Sequence, residues 1–161
     1  MAANGRQDGR YTAAATDEAV TVFLIGMRIN RWWKVRSWLP VVMAMPAMVK
    51  HLANHQESGF LAGQNWFGRT TLLLTYWRSA EDVVAFARDP ELMHLPAWRA
   101  YNAAAGSNGD VGVWHETYRV AAGDREMIYV NMPPFGLGKA IGTEPVGTGT
   151  ATATQRMARG R

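Results

Sequence analysis

Residues 19–30, AVTVFLIGMRIN, separate into two unlike rows when read at every second position. Phe23, Ile25, Met27 and Ile29 form a wholly apolar row. Val22, Leu24, Gly26, Arg28 and Asn30 form a row that turns polar at its C-terminal end. Successive side chains of a strand point to opposite faces, so such a segment belongs in a sheet whose two faces meet different surroundings. The apolar row predicts packing against helices, and it constrains how the rest of the chain can be arranged.

The stretch RWWKVRSWLPVVMAMPAMVKHLANHQ (31–56) has a helical stripe in Val42, Met45, Met48, Val49 and Leu52. Pro40 and Pro46 each remove a ladder hydrogen bond, which predicts a break or two segments. GFLAGQNWFG (59–68) and RTTLLLTYWRS (69–79) read as two strands of a hairpin with Gly68 at the bend. Ser79, with Asp82 three residues on, caps a helix through AEDVVAFAR. Pro96 opens a last helical stretch, PAWRAYNAAAG, that stops at Gly106. DVGVWHETYRV (110–120) is a fourth strand and REMIYVNMPP (125–134) a fifth.

The order is β-α-β-β-α-β with one strand added. That is a ferredoxin-like split βαβ of the α+β class, an antiparallel sheet with both helices on one face. With 161 residues the chain is long enough for one ordinary domain. Residues 1–18 show no hydrophobic period and predict a flexible arm. Residues 19–142 form the domain, and the Gly-, Thr- and Ala-rich stretch 143–161 predicts a disordered tail. Two helices cover one sheet face only. A bare apolar second face would aggregate, so a symmetric homodimer is expected, its two sheets closing as a barrel with a cavity in each half.

Several function classes are set aside by composition. There is no cysteine, so disulfides, thiolate nucleophiles and cysteine zinc sites are absent. The net charge of +4 is scattered without Lys/Arg runs, which argues against nucleic acid. The longest apolar stretch, WLPVVMAMPAMV, falls short of the ~20 residues of a membrane span. The N-terminus lacks the apolar centre of a signal peptide. A soluble cytoplasmic protein is expected. Seven Trp and nine Met furnish either a generous core or a cavity for a flat or greasy ligand.

Few residues carry chemistry. Arg28 and Asn30 sit on the mixed row of the first strand; facing a cavity they would clamp an anionic group and donate to a developing oxyanion, and otherwise they are a strand-end pair in solvent. His94, just before a helix start and near Trp98, is a candidate base or haem ligand, or a capping histidine. His115 and Glu116 are strand neighbours and therefore point to opposite faces. Val111, Val113, His115 and Thr117 share one row; Gly112, Trp114, Glu116 and Tyr118 share the other. Both rows are mixed, so parity leaves open which one lines a cavity. Tyr76, Trp77, Trp98, Trp114, Glu116 and Tyr118 are the expected substrate contacts. His51 and His55 have helical i, i+4 spacing but no third metal ligand nearby. RINRWW offers a rim of stacked aromatics and cations.

Together the blocks GMRINRWW, WLPVVMAMPAM, YWRSAEDVVAFARDPELMHLPAWRAYN, GVWHETYRV and IYVNMPPFGLG resemble a small monooxygenase-like family. This is the family that includes the fumagillin-pathway monooxygenase, within the dimeric α+β barrel superfamily and beside the antibiotic-biosynthesis monooxygenases. The resemblance spans residues 20–140. It implies a ferredoxin-like barrel dimer and an oxygenase role in specialised, natural-product metabolism. Cofactor-free relatives let a reduced, electron-rich aromatic substrate meet oxygen in a shaped cavity. Haem-degrading relatives use a first-strand Asn, a Trp and an axial helix His, parts that Asn30, Trp77 and His94 would take here. The Trp of those enzymes lies in the second helix, whereas Trp77 ends a strand. Haem-containing aldoxime dehydratases share the architecture. The expectation is an oxygenase acting on an aromatic, polyketide or terpenoid molecule. Arg28 and Asn30 would orient polar groups, and His94 or His115 would handle protons. A haem enzyme with His94 as axial ligand and a non-catalytic ligand-binding dimer are the alternatives.

Overall fold

The structure is a computed structural model that describes residues 5–88 and 108–159. Its main sheet contains four antiparallel strands, β2 (Val20–Ile29), β3 (Phe60–Trp66), β4 (Leu72–Trp77) and β5 (Val111–Val120), in the order β3-β4-β2-β5. Helix α1 (Val35–Asn54) connects β2 to β3, and α2 (Ala80–Arg88) follows β4. This is the ferredoxin-like arrangement: each crossover skips one strand, and the skipped strand fills the gap. The expected stretch around Pro96 lies outside the described residues.

The alternation read in the first strand persists in three dimensions. Phe23 and Ile25 join Leu73, Trp77 and Phe60 beneath Met48 and Leu52 of α1 and Val83 and Phe86 of α2. A second cluster places Met27, Ile29, Val111 and Val113 under Trp38, Val41 and Val42. The two halves of α1 thus rest on two ends of the same sheet. That explains a departure from expectation: α1 is one continuous helix with Pro40 and Pro46 inside it. A mid-helix proline costs about 3 kcal/mol, and apolar contacts along the helix outweigh it.

At the β2–β5 ladder, Gly26 has no room for a side chain. A Cβ there would lie 2.1 Å from the Thr71 carbonyl oxygen and 2.7 Å from Trp114 Nε1. The close approach lets Thr71 bond twice to Met27: its Oγ1 accepts from the Met27 N–H at 3.0 Å, and its N–H donates to the Met27 carbonyl at 2.8 Å.

The ends of the chain depart furthest from the sequence reading. Within the expected arm, Arg10–Ala13 forms β1. Of the expected fifth strand only Tyr129–Val130 is extended as β6, and it pairs with β1 rather than the main sheet. Within the expected tail, Thr143–Pro145 forms β7 on the other side of β1, and Ala153–Ala158 forms a helical turn capped by Thr152. The result is a second, three-stranded sheet, β6-β1-β7. These segments are two to four residues long, too short to show a period, and each finds its partner far along the chain. Gly136–Ile141 is a short helix lying against β3 and β4.

Candidate functional site

The β2–β5 register decides which row of the fourth long strand faces the helices. His115 lies opposite Ile25, Thr117 opposite Phe23 and Val113 opposite Met27, so this row shares the apolar face of β2. Trp114, Glu116 and Tyr118 lie opposite Gly26, Leu24 and Val22 on the other face.

A cavity of about 390 Å³ lies between sheet and helices, within the size range of small-molecule sites. This cavity lies on the helix side of the main sheet. Its floor is Phe23, Ile25, Leu73, Thr75, Trp77, Val113, His115 and Thr117; its roof comprises Met48 and Leu52 of α1 and Val83, Val84, Phe86 and Ala87 of α2. The lining is apolar with a few polar atoms. Thr75 is committed: Trp77 Nε1 donates to its Oγ1 at 2.8 Å, and that hydroxyl donates to the Phe23 carbonyl at 2.8 Å. His115 is exposed, its ring 6.0 Å from that of Phe23, and it stands at the mouth of the cavity as its one imidazole among the described lining residues. The arrangement can hold a greasy molecule and move a proton at one edge of it.

The remaining expected site residues are not gathered there. Arg28 is exposed and donates to Thr70 Oγ1 at 3.1 Å; Asn30 Nδ2 donates to the Gly109 carbonyl at 3.1 Å. Both tie strand ends together. On the far face Tyr118 donates to Glu116 Oε2 at 2.8 Å, and that carboxylate raises the phenol's pKa by hydrogen bond and charge. Tyr76 sits under the Gly136–Ile141 helix, its pKa raised by burial and by nearby Tyr129 against a bond from the Leu137 N–H. Trp114 lies over Gly26 with a buried Nε1 that has no hydrogen-bond partner among the described residues. His94 and Trp98 lie outside the described residues. Rings of His51 and His55 stack at 4.0 Å, and no cluster of three metal-ligating side chains exists among the described residues. Sequence reasoning passed over the α1 and α2 lining residues; their signal was the apolar stripe, which reads the same in a packed core.

One buried carboxylate ties the start of β5 to the start of α1. Asp110, 4% exposed at the start of β5, accepts from Ser37 Oγ at 2.9 Å and Arg31 at 2.8 Å. Burial pushes its carboxyl up, but the bonds from Ser37 and Arg31 and the charges of Arg31 and Lys34 prevail and leave it below the ordinary carboxylate value. With the folded value depressed, the contribution is complete above about pH 4 and disappears as pH falls through the folded value. Asp110→Asn is therefore expected to lower stability at neutral pH and to flatten the loss of stability below about pH 4. Denaturant midpoints across pH check this, and an unchanged acid slope would contradict it.

Residues 20–137 match the family model described as monooxygenase af470-like. Monooxygenase af470 of Aspergillus fumigatus is 31% identical over 144 residues, covering 83% of this chain and 50% of that protein. The chain thus spans about half the length of this curated relative. Among solved structures, an aldoxime dehydratase co-crystallised with butyraldoxime superposes with a TM-score of 0.65 at 14% identity. The match covers 83% of this chain and 40% of that one. A second aldoxime dehydratase structure gives 0.61 at 15% identity, over 80% and 43%. These two likenesses establish the fold.

Proposed function

The chain belongs to the monooxygenase af470-like family, and from that premise we propose that it is an oxygenase acting on a hydrophobic small molecule, aromatic, polyketide or terpenoid, held between sheet and helices. The observation that carries the reading is the apolar cavity of about 390 Å³ with His115 at its mouth. Phe23, Trp77 and Phe86 supply flat apolar surface. His115 takes a proton from an acidic carbon or phenol of the substrate, leaving an electron-rich anion that dioxygen oxidises. If an activated CH₂ becomes C=O, one oxygen atom enters the product, the other leaves as water, and all four electrons come from the substrate. The apolar walls keep water from the carbanion. A second copy closing over Val22, Leu24 and Leu74 on the far face completes the assembly as a homodimer.

Haem is the second reading, with His94 as axial ligand; His94 lies outside the described residues. The described lining offers one imidazole and no Lys or Arg to pair with haem carboxylates. The cofactor-free reading is preferred because His115 at the cavity mouth supplies a base without a metal. The test is oxygen uptake by the purified protein against a panel of hydroquinones and activated phenols, with a parallel haemin titration. Uptake without haemin is expected. A sharp Soret shift with activity only in its presence would overturn the reading.

A further inference from the structure

The outer side of α1 has the wrong chemistry for a helix facing water. A surface helix is normally apolar inward and polar outward. Here the inward face is apolar, through Val42, Met48 and Leu52, and the outward face is apolar as well between Arg36 and Lys50. Leu39 and Met43 are 43% and 64% exposed, and Val35 is 44% exposed in the first turn. Just before the helix, Trp32 and Trp33 are 69% and 59% exposed and meet edge to face at 6.2 Å. That loop is held in place rather than free: Trp38 Nε1 donates to the Trp32 carbonyl at 2.8 Å.

The charge along this segment of the chain has one sign. No Asp or Glu occurs between Glu18 and Glu57, whereas Arg31, Lys34, Arg36 and Lys50 all fall in that interval. Lys34, Arg36 and Lys50 are exposed and form no salt bridge among the described residues. Arg31 is paired with buried Asp110 but keeps half of its side chain in solvent. The helix carries no acid in its first turn, so its positive end adds to the same field.

We propose that this face docks on an anionic lipid surface. Tryptophans favour the headgroup boundary, aliphatic residues along one side of a helix enter the acyl region, and flanking cations meet anionic headgroups. α1 would lie in the plane of the interface; no helix of the described residues is long and apolar enough to cross a membrane. A second copy using this face about a two-fold axis would set cations against cations, with no Asp or Glu between Glu18 and Glu57 to pair them. The proposal is independent of the oxygenase reading, because this face and the cavity use opposite sides of α1.

The test is co-sedimentation of the full chain with phosphatidylserine-containing vesicles and with pure phosphatidylcholine vesicles, followed also by tryptophan emission. Binding to the anionic vesicles is expected to be tighter by on the order of a hundredfold at low salt and to be reversed by added salt. The double variant Trp32→Ser, Trp33→Ser should lose on the order of tenfold or more in binding, with an unchanged circular dichroism spectrum. Leu39→Ser with Met43→Ser is the second variant, should the first disturb the fold. No binding to anionic vesicles would overturn the proposal. So would binding that neither variant weakens, or concentration-dependent self-association through this face without vesicle binding.

Discussion

Replacing Trp77 by alanine is expected to destabilise the protein by about 3–5 kcal/mol, the range for removing a large buried aromatic side chain. Trp77 is 1% exposed, at the centre of the cluster that joins both helices to the sheet. Its ring meets Phe60 at 5.6 Å and Phe86 at 5.4 Å, so its loss empties space shared by β3, β4 and α2. The indole also donates to Thr75 Oγ1, the hydroxyl that bonds across to β2. Trp77→Phe keeps much of the volume but loses that bond together with part of the ring system, and is expected to cost less than the alanine variant. Urea denaturation measures both variants. A cost under about 1 kcal/mol for the alanine variant would show that the core closes over the gap.

His115→Ala is expected to leave the fold intact and to lower kcat by roughly 10²- to 10⁴-fold, the usual contribution of a positioned general base. The side chain is exposed and makes no hydrogen bond among the described residues, so stability should change by no more than about 0.5 kcal/mol. His115→Gln retains polarity and size without a proton-accepting ring and should be as impaired as the alanine variant. Oxygen uptake on the substrate identified by the panel is the readout. Activity within a few-fold of the parent in both variants would remove His115 from the reaction and leave the cavity as a binding site alone.

These two residues show how far a sequence can be read. Trp77 was placed at the end of a strand and expected to contact substrate. It does line the cavity, yet most of its surface is spent on the core, because its alternation with Leu73 and Thr75 directs it under the helices. His115 was one of two neighbours with opposite orientations, and composition of the rows could not choose between them. Arg28 and Asn30 were placed on the correct face of β2, opposite the helix-packed row. There Arg28 donates to Thr70 and Asn30 to the Gly109 carbonyl, while the described cavity lies on the helix side. The prolines of α1 suggested a break by a local rule, and contacts with two ends of the sheet overruled it.

What the sequence by itself determined is the set of elements whose signal is local. The two-row pattern of β2, the hairpin, the capped helix and their order specify a ferredoxin-like sheet with one greasy face, since side-chain period and turn chemistry act over a few residues. What only the tertiary structure decided is everything that depends on pairing between distant segments. The register that sets Ile25 opposite His115 turned an ambiguous strand into one with a defined cavity side. Arg10–Ala13 became a strand because residues more than a hundred positions away supplied its hydrogen bonds. A strand's partners satisfy its backbone from outside its own sequence, so neither its register nor, for the shortest segments, its existence is written locally.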